Sequence, residues 1–146
     1  MINEAMFSSK KMNWGTPQKL FDTLNEEFHF TLDPCADDFN HKCEKYYTEV
    51  DDGLSKDWGT ETVFCNPPYG REIAKWVKKC SEHRGLAVML IPARTDTKWF
   101  HEYIWMQDNV SVAFLPGRVK FEGANNSAPF PSMIVTFRGP ECQSNK

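Results

Sequence analysis

The run Val63-Phe64-Cys65-Asn66-Pro67-Pro68-Tyr69-Gly70 constrains the fold of this chain more than any other stretch. Its first three residues favour a buried strand. The two prolines end that strand, because proline has no N–H for a sheet ladder. The first proline also biases Asn66 toward an extended backbone. Open α/β sheets place their chemistry at such loops, at the carboxyl ends of strands. The run therefore predicts an α/β fold with a functional site that begins at Asn66.

The groups in this loop suit one kind of ligand, an exocyclic amine on a planar base. The Asn66 side-chain oxygen and the Pro67 carbonyl are two acceptors, which match the two hydrogens of such an amine. Holding both hydrogens orients the nitrogen so that its lone pair can attack an electrophile. Tyr69 offers an aromatic face on which a flipped base can stack. The competing interpretation is an ordinary proline turn, against which any short motif must be weighed.

Helices and strands alternate along the rest of the chain. Thr16 can cap a helix that has Pro17 at its first position, and apolar spacing carries that helix to about Glu27. The continuous apolar run 86–91 predicts a central parallel strand. Further short strands are predicted at 29–32, 45–48, 110–115 and 133–137, the last antiparallel to its predecessor.

Length and composition bound the class of protein. A chain of 146 residues with 40% hydrophobic and 25% charged residues predicts a single globular domain. We place this domain at 12–139, with a loose arm over 1–11 and a flexible tail over 140–146. No run of 18 apolar residues and no basic-then-apolar leader is present, so neither a membrane span nor secretion is expected.

Cysteine content and charge narrow the class further. The five cysteines are odd in number and widely spaced, which predicts reduced thiols in a cytoplasm and no metal site. The net charge of -3 argues against a protein that coats nucleic acid by bulk electrostatics, but not against a local basic face. Basic residues follow predicted strand ends or open helices, and we expect four of them to contact nucleic acid. These are Arg71, Arg94, Arg118 and Lys120.

Several short motifs together resemble one family. Asn66-Pro67-Pro68-Tyr69 is similar to the (Asp/Asn/Ser)-Pro-Pro-(Tyr/Phe) motif of amino-methyltransferases that use S-adenosylmethionine. The ordered set also contains Trp14-Gly15-Thr16-Pro17, Leu32-Asp33-Pro34-Cys35-Ala36, Asp52-Gly53-Leu54 and Asp57-Trp58. The whole set resembles the short phage-type DNA N6-adenine methyltransferase family, from about Trp14 to Phe137.

This resemblance implies a fold, a reaction and a partner. The implied fold is the Rossmann-like class I methyltransferase fold, an α/β sheet that is mostly parallel with an antiparallel terminal strand. The implied reaction transfers a methyl group from S-adenosylmethionine to the N6 amine of adenine in DNA. A phage origin, and hence a bacterial host cytoplasm, follows from the resemblance alone. The chain is small for sequence-specific recognition, so specificity must come from loops or a homodimer partner, or be loose.

Besides the four basic residues, the expected site residues form a catalytic group and a cofactor-binding group. Asn66, Pro67, Pro68 and Tyr69 are the expected catalytic residues. An acidic residue after a first strand can accept from a cationic amine, and a carboxylate after a second strand can accept from ribose hydroxyls. The sequence does not choose among Glu49, Asp51 and Asp52 for the ribose. The full cofactor-binding set, with its first two residues taken from the resemblance, is Thr16, Pro17, Asp33, Pro34, Cys35, Ala36, Asp51, Asp52 and Asp57.

Two other functions remain open at this point. The same motif can hold the amine of an RNA base or the side-chain amide of a protein glutamine. The chain could also be a catalytically inactive nucleic-acid-binding module with a vestigial cofactor pocket.

Overall fold

The computed structural model describes residues 13–142, so the arm expected at 1–11 and the last four residues lie outside the described part. Among residues 13–142 there are two α-helices, α1 at Gln18–Phe28 and α2 at Ile73–Glu82. A 3-10 turn spans Gly53–Ser55 and a π-helical turn spans Phe100–Ile104. The four strands are β1 at Val63–Cys65, β2 at Leu86–Pro92, β3 at Val110–Phe114 and β4 at Ser132–Arg138.

The strands form one mixed sheet in the order β1-β2-β4-β3. β1 pairs with β2 in parallel, whereas β4 is antiparallel to both β2 and β3. One of these three pairs is therefore parallel, fewer than the mostly parallel sheet expected. The reason is the place of β4, which lies between β2 and β3 and so makes both of its pairs antiparallel. β1, β2 and β3 nevertheless run in one direction, and β4 runs against them as predicted.

The core lies along β2 and β4. All seven residues of β2 are buried, as are residues 132–137 of β4. A strand buried on both faces needs an apolar residue at every position, which is why 86–91 is a continuous apolar run. One face of α2 adds Ile73, Trp76, Val77 and Cys80 to this core. β3 is more exposed because it is the edge strand of the sheet.

The two short strands expected at 29–32 and 45–48 are reduced to single parallel bridges. Leu32 pairs with Val63, and Asp33 pairs with Tyr46. His29 has a left-handed backbone, with φ of 56°, because it ends α1 by donating its N–H to the Asn25 carbonyl. That conformation excludes His29 from a strand. The first strand-like pairing therefore occurs at Leu32, although the residue pattern predicted a strand from residue 29.

The start of α1 also differs from expectation. Pro17 is the N-cap rather than the first helical residue, and no side chain in residues 13–142 caps the first turn. The Thr16 hydroxyl, expected as that cap, instead accepts a hydrogen bond from the Asn66 side chain at 2.9 Å.

The described end of the chain is packed against the sheet. Gly139 N–H donates to the Gly85 carbonyl at 2.8 Å, and Glu141 N–H donates to the Arg84 carbonyl at 2.8 Å. Residues 140–142, which we expected to open a flexible tail, are thus held at the turn before β2. Among the described residues, no helix has the length and apolar character needed to cross a membrane.

Truncating a valine at the centre of the sheet should destabilise the protein strongly. Val135 is completely buried and pairs with both Met89 and Val112. Val135→Ala removes buried methyl groups and leaves a cavity, which should lower the free energy of unfolding by about 2 to 3 kcal/mol. Val50→Ala is the matched control, because Val50 is 94% exposed and its truncation should cost less than about 0.5 kcal/mol. Urea unfolding of both variants measures this, and equal losses would contradict the assignment of the core.

Candidate active site

The shared direction of β1, β2 and β3 brings several loops to one edge of the sheet, which we call the carboxyl edge. Asn66 directly follows β1, and Arg94 follows β2 by two residues. The loop 115–131 leaves β3 at the same edge. Leu32, in a parallel bridge with Val63, delivers Asp33 there as well. Residues from distant parts of the chain therefore meet around Asn66.

The Asn66 side chain is held in one orientation. Its Nδ2 donates to the Trp14 carbonyl oxygen and to Thr16 Oγ1. A carbonyl can only accept, so the amide nitrogen must be the atom on that side. Asn66 Oδ1 points away from these partners, is buried, and has no hydrogen-bond donor within residues 13–142. A buried acceptor without a donor is costly, which marks this oxygen as the binding point for an N–H group of a ligand.

Tyr69 lies under an aromatic cover. Its hydroxyl donates to the Leu90 carbonyl at 3.0 Å, and only 6% of the residue is exposed. Trp14 stacks near it at 6.4 Å between ring centroids, and Phe121 and Phe130 pack edge-on against the ring. Burial raises the pKa of the phenol, so Tyr69 is neutral. Because so little of Tyr69 is exposed, a base could stack on its ring only after these neighbouring rings moved.

A cavity of about 850 Å³ opens beside Asn66 and Pro68. That volume falls within the usual range of small-molecule sites, roughly 300 to 1,000 Å³. Six expected cofactor residues line it, namely Thr16, Asp33, Pro34, Cys35, Ala36 and Asp52. Of the described residues, seven carboxylates lie on its wall, so we call it the acidic cavity: Asp33, Asp37, Asp38, Glu49, Asp52, Glu72 and Glu122.

Three residues of the expected cofactor set do not line this cavity. Pro17 is the N-cap of α1. Asp51 accepts from the Thr48 N–H and hydroxyl at 2.8 and 3.1 Å, and these bonds lower the pKa of its carboxyl. Asp57 accepts from the Gly59 N–H at 2.8 Å and lines a smaller pocket elsewhere. Of the three carboxylates considered for the ribose, Glu49 and Asp52 therefore face the cavity and Asp51 does not.

Asp33 has a structural task in addition to its place in the cavity. Its two carboxylate oxygens accept from the backbone N–H groups of Cys35 at 3.3 Å and Lys42 at 2.9 Å. Only 4% of Asp33 is exposed. Burial raises the pKa of this carboxyl, and the two N–H donors offset part of that rise. Each oxygen keeps a further lone pair that can accept from a cationic group in the cavity.

The cavity wall depends on a close backbone approach at Gly53. A Cβ on Gly53 would lie 2.4 Å from the Pro34 carbonyl oxygen and 3.1 Å from the Trp76 ring. Only glycine lets the 3-10 turn approach the loop that follows Leu32. Trp76 lines the cavity but was not expected there, since its helical spacing with Ile73 and Cys80 indicated core packing alone.

Glu122 was also not predicted as a site residue, although it links three other residues of the cavity wall. Its carboxylate accepts from Asn40 Nδ2 at 3.1 Å and pairs with Lys42 Nζ at 3.3 Å. Its backbone bridges to Gly15. Sequence offers no local signal for such a role, because these partners lie about 80 to 107 positions away from Glu122.

The cysteines near the cavity are protonated thiols. Cys35 lines the cavity, and its Sγ lies 3.8 Å from Sγ of Cys65. Burial raises the pKa of Cys35, Cys65 and Cys80. A thiol is a weak nucleophile and a poor metal ligand compared with a thiolate. Within residues 13–142, no group of three metal-binding side chains has the geometry of a metal site.

The four basic residues expected to contact nucleic acid are all exposed: Arg71, Arg94, Arg118 and Lys120. They lie in the segments that follow β1, β2 and β3, and so belong to the carboxyl edge. Among the ion pairs formed within the described residues, none involves these four side chains. Their charges are therefore available to an anionic partner.

Residues 4–141 match the family described as DNA N-6-adenine-methyltransferase (Dam). A DNA N-6-adenine-methyltransferase of Haemophilus phage HP1 (strain HP1c1) is 28% identical over 141 residues, which cover 88% of this chain and 80% of the relative. One of Escherichia phage T1 is 36% identical over 94 residues, covering 61% of this chain and 39% of the relative. The putative methyltransferase YfdM of Escherichia coli (strain K12) is 40% identical over 63 residues, covering 38% of this chain and 69% of the relative. The matched part of the phage T1 relative is thus less than half of its length.

The buried Asp33 carboxyl should make stability depend on pH. A carboxyl whose folded pKa is raised above its unfolded value of about 3.9 stabilises the fold fully below that value, and this contribution is lost as pH rises through the folded pKa. Asp33→Asn removes the titration. As pH rises above about 4, the free energy of unfolding of the wild type should therefore fall relative to that of Asp33→Asn. The difference should become constant once the pH has passed the folded pKa of Asp33. Urea unfolding at several pH values measures it, and a constant difference would contradict the raised pKa.

Proposed function

This chain belongs to the DNA N-6-adenine-methyltransferase (Dam) family, and we propose that it transfers a methyl group from S-adenosylmethionine to the N6 amine of adenine in DNA. The observation that supports this most directly is the Asn66 amide. Its Oδ1 is buried and has no donor among the described residues, while both hydrogens of its Nδ2 are donated. An exocyclic amine supplies the N–H that this acceptor requires.

The acidic cavity is suited to S-adenosylmethionine. This cofactor carries a sulfonium, an ammonium and one carboxylate, so its net charge is positive, and the described wall, with seven carboxylates and one lysine, favours a cation. The one lysine, Lys42, is already paired with Glu122. Asp33 lies where it can accept from the ammonium, and Glu49 or Asp52 can accept from ribose hydroxyls. Trp76 and Leu54 supply apolar wall for a flat ring.

The residues of this chain then act by position rather than by covalent chemistry. When bound, S-adenosylmethionine supplies a methyl group that is already electrophilic. Asn66 Oδ1 and the Pro67 carbonyl hold the two amine hydrogens and so direct the nitrogen lone pair toward the cavity. Pro67 and Pro68 keep these acceptors at fixed positions because their φ angles are locked. The proton can leave after attack, so we assign no separate general base.

Entry of the base requires the aromatic cover on Tyr69 to open. Trp14, Phe121 and Phe130 now occupy the space against the Tyr69 ring. We infer that these three rings fill the position in which the extruded adenine will stack. With no base bound, an empty slot there would expose apolar surface to water, and the three rings prevent this. Phe130 belongs to the long loop between β3 and β4, and it is only partly buried.

The basic residues of the carboxyl edge fit contact with the DNA backbone. Arg71, Arg94, Arg118 and Lys120 surround the same edge as Asn66, while the acidic cavity lies toward Leu32 and Tyr46. Phosphate contacts of this kind position a duplex without reading its sequence.

We also interpret the fold as Rossmann-like and class I. Support comes from the parallel bridges of Leu32 and Tyr46 beyond β1, and from β4 as the one reversed strand. A homodimer, the other expected partner, stays a prediction.

RNA and protein glutamine remain alternative acceptors, because their amines make the same two hydrogen bonds. The test is methyl transfer from tritiated S-adenosylmethionine to unmethylated duplex DNA, RNA and protein in separate reactions. We expect label in N6-methyldeoxyadenosine after digestion of the DNA.

Asn66→Ala should lower kcat by at least about 100-fold, since it removes an acceptor used in the transition state. Its cofactor affinity, measured by calorimetry, should stay near that of the wild type. Label only in RNA or protein would overturn the acceptor, and wild-type rates in Asn66→Ala would remove Asn66 from the chemistry.

Removing a cation at the carboxyl edge should weaken DNA binding and leave cofactor binding intact. Arg94→Ala should raise Kd for duplex DNA several-fold and make the slope of log Kd against log salt shallower by about one. Arg84→Ala is the matched control. Arg84 lies before β2, at the opposite edge of the sheet, and is also an exposed arginine. Fluorescence anisotropy at several salt concentrations measures both variants. Equal effects would mean that the carboxyl edge is not the DNA face.

A further inference from the structure

We propose that Thr16 is a positioning residue, and that its hydroxyl and the Trp14 carbonyl form a clamp on the Asn66 amide which makes asparagine, rather than aspartate, necessary at position 66. The proposal rests on the proposed function, because it concerns the group that orients the target amine. It goes beyond that function in assigning a role to Thr16, and in giving a physical reason for the amide.

The clamp follows from the chemistry of its two acceptors. The Trp14 carbonyl oxygen cannot donate, and Thr16 Oγ1 lies 2.9 Å from Asn66 Nδ2. Thr16 is 4% exposed, so water does not compete readily for this bond. Two acceptors on one side of the amide fix the nitrogen there and leave Oδ1 on the other. Rotation of the amide by 180° would set Oδ1 against the Trp14 carbonyl, which is repulsive.

The clamp also explains why an aspartate would fail here, although the (Asp/Asn/Ser)-Pro-Pro-(Tyr/Phe) motif of amino-methyltransferases admits one. An ionised carboxylate at position 66 would place an oxygen against the Trp14 carbonyl oxygen, with no proton between them. A protonated carboxyl could donate to that carbonyl and still present its other oxygen to the amine. The charged groups on the described wall of the adjoining cavity are Lys42 and the seven carboxylates Asp33, Asp37, Asp38, Glu49, Asp52, Glu72 and Glu122. Cys65 and Tyr69 lie on either side of Asn66 in the chain. The acidic majority among the charged groups also disfavours a further carboxylate.

The segment that forms the clamp is itself anchored. Gly15 bridges to Glu122, and Trp14 packs against Phe121 and Phe130. Asn13 to Thr16 line the acidic cavity. One short segment therefore forms part of the cavity wall and holds the residue that orients the amine.

The first test uses full-length Asn66→Asp. Its transfer rate relative to wild type should fall as pH rises between about 5 and 9, by about tenfold per pH unit once the carboxyl ionises. The difference in melting temperature between wild type and Asn66→Asp should widen over the same range, because ionisation breaks the contact with Trp14. A relative rate and a melting difference that both stay constant across this range would overturn the clamp.

The second test separates the Thr16 hydroxyl from its volume. Thr16→Val keeps the shape but removes the acceptor, and should lower kcat about tenfold. Thr16→Ser keeps the hydroxyl and should stay within about threefold of the wild type. Equal losses in the two variants would assign Thr16 to packing alone and overturn its role as a positioning residue.

The two proposals can fail separately. Should the wild type transfer no label to DNA, the proposed function is wrong, and the clamp is then judged by the melting curves alone. A widening melting difference in Asn66→Asp would support the clamp in that case. Should the wild type methylate DNA while the pH series stays flat, the function stands and the clamp is wrong.

Discussion

The pairing of β2 with β4 is the interaction on which the rest of the molecule depends. It runs without interruption from Leu86 opposite Arg138 to Pro92 opposite Ser132, and nearly all of these residues are buried. β1 and β3 attach to either side of this pair. Because β4 is the reversed strand, β1, β2 and β3 end at one edge. The place of the loops that carry Asn66, Arg94 and Arg118 is thus a consequence of where one strand inserts in the sheet.

That edge is divided by charge. Five of the seven cavity carboxylates, Asp33, Asp37, Asp38, Glu49 and Asp52, lie in residues 33–52, beyond β1, whereas Arg94, Arg118 and Lys120 follow β2 and β3. Asn66 stands at the junction, because it follows β1, which lies between the two sides. An arrangement of this kind can attract a cation and a polyanion to neighbouring positions without either partner crossing the field meant for the other. The overall charge of -3 conceals this division.

Much of the fold could be predicted from local sequence patterns. The apolar run of β2, the helical spacing in α1 and the prolines after Asn66 act over a few residues, and the structure agrees with each. The confirmed family likewise follows from motifs that are short and ordered. What could not be predicted depends on distant partners. Thr16 has the character of a cap, yet its hydroxyl meets a side chain 50 positions away, and nothing near Glu122 indicates its bonds to Asn40 and Lys42.

The protonated state of Cys35 has a consequence for the protein's own integrity. This thiol lines the cavity in which we place a methyl donor, and sulfur is a good acceptor for methyl groups only as thiolate. Burial keeps the proton on Cys35, and also on its neighbour Cys65. The packing that closes the core beneath the cavity therefore lowers the nucleophilicity of Cys35, which would slow its alkylation by a methyl donor bound there.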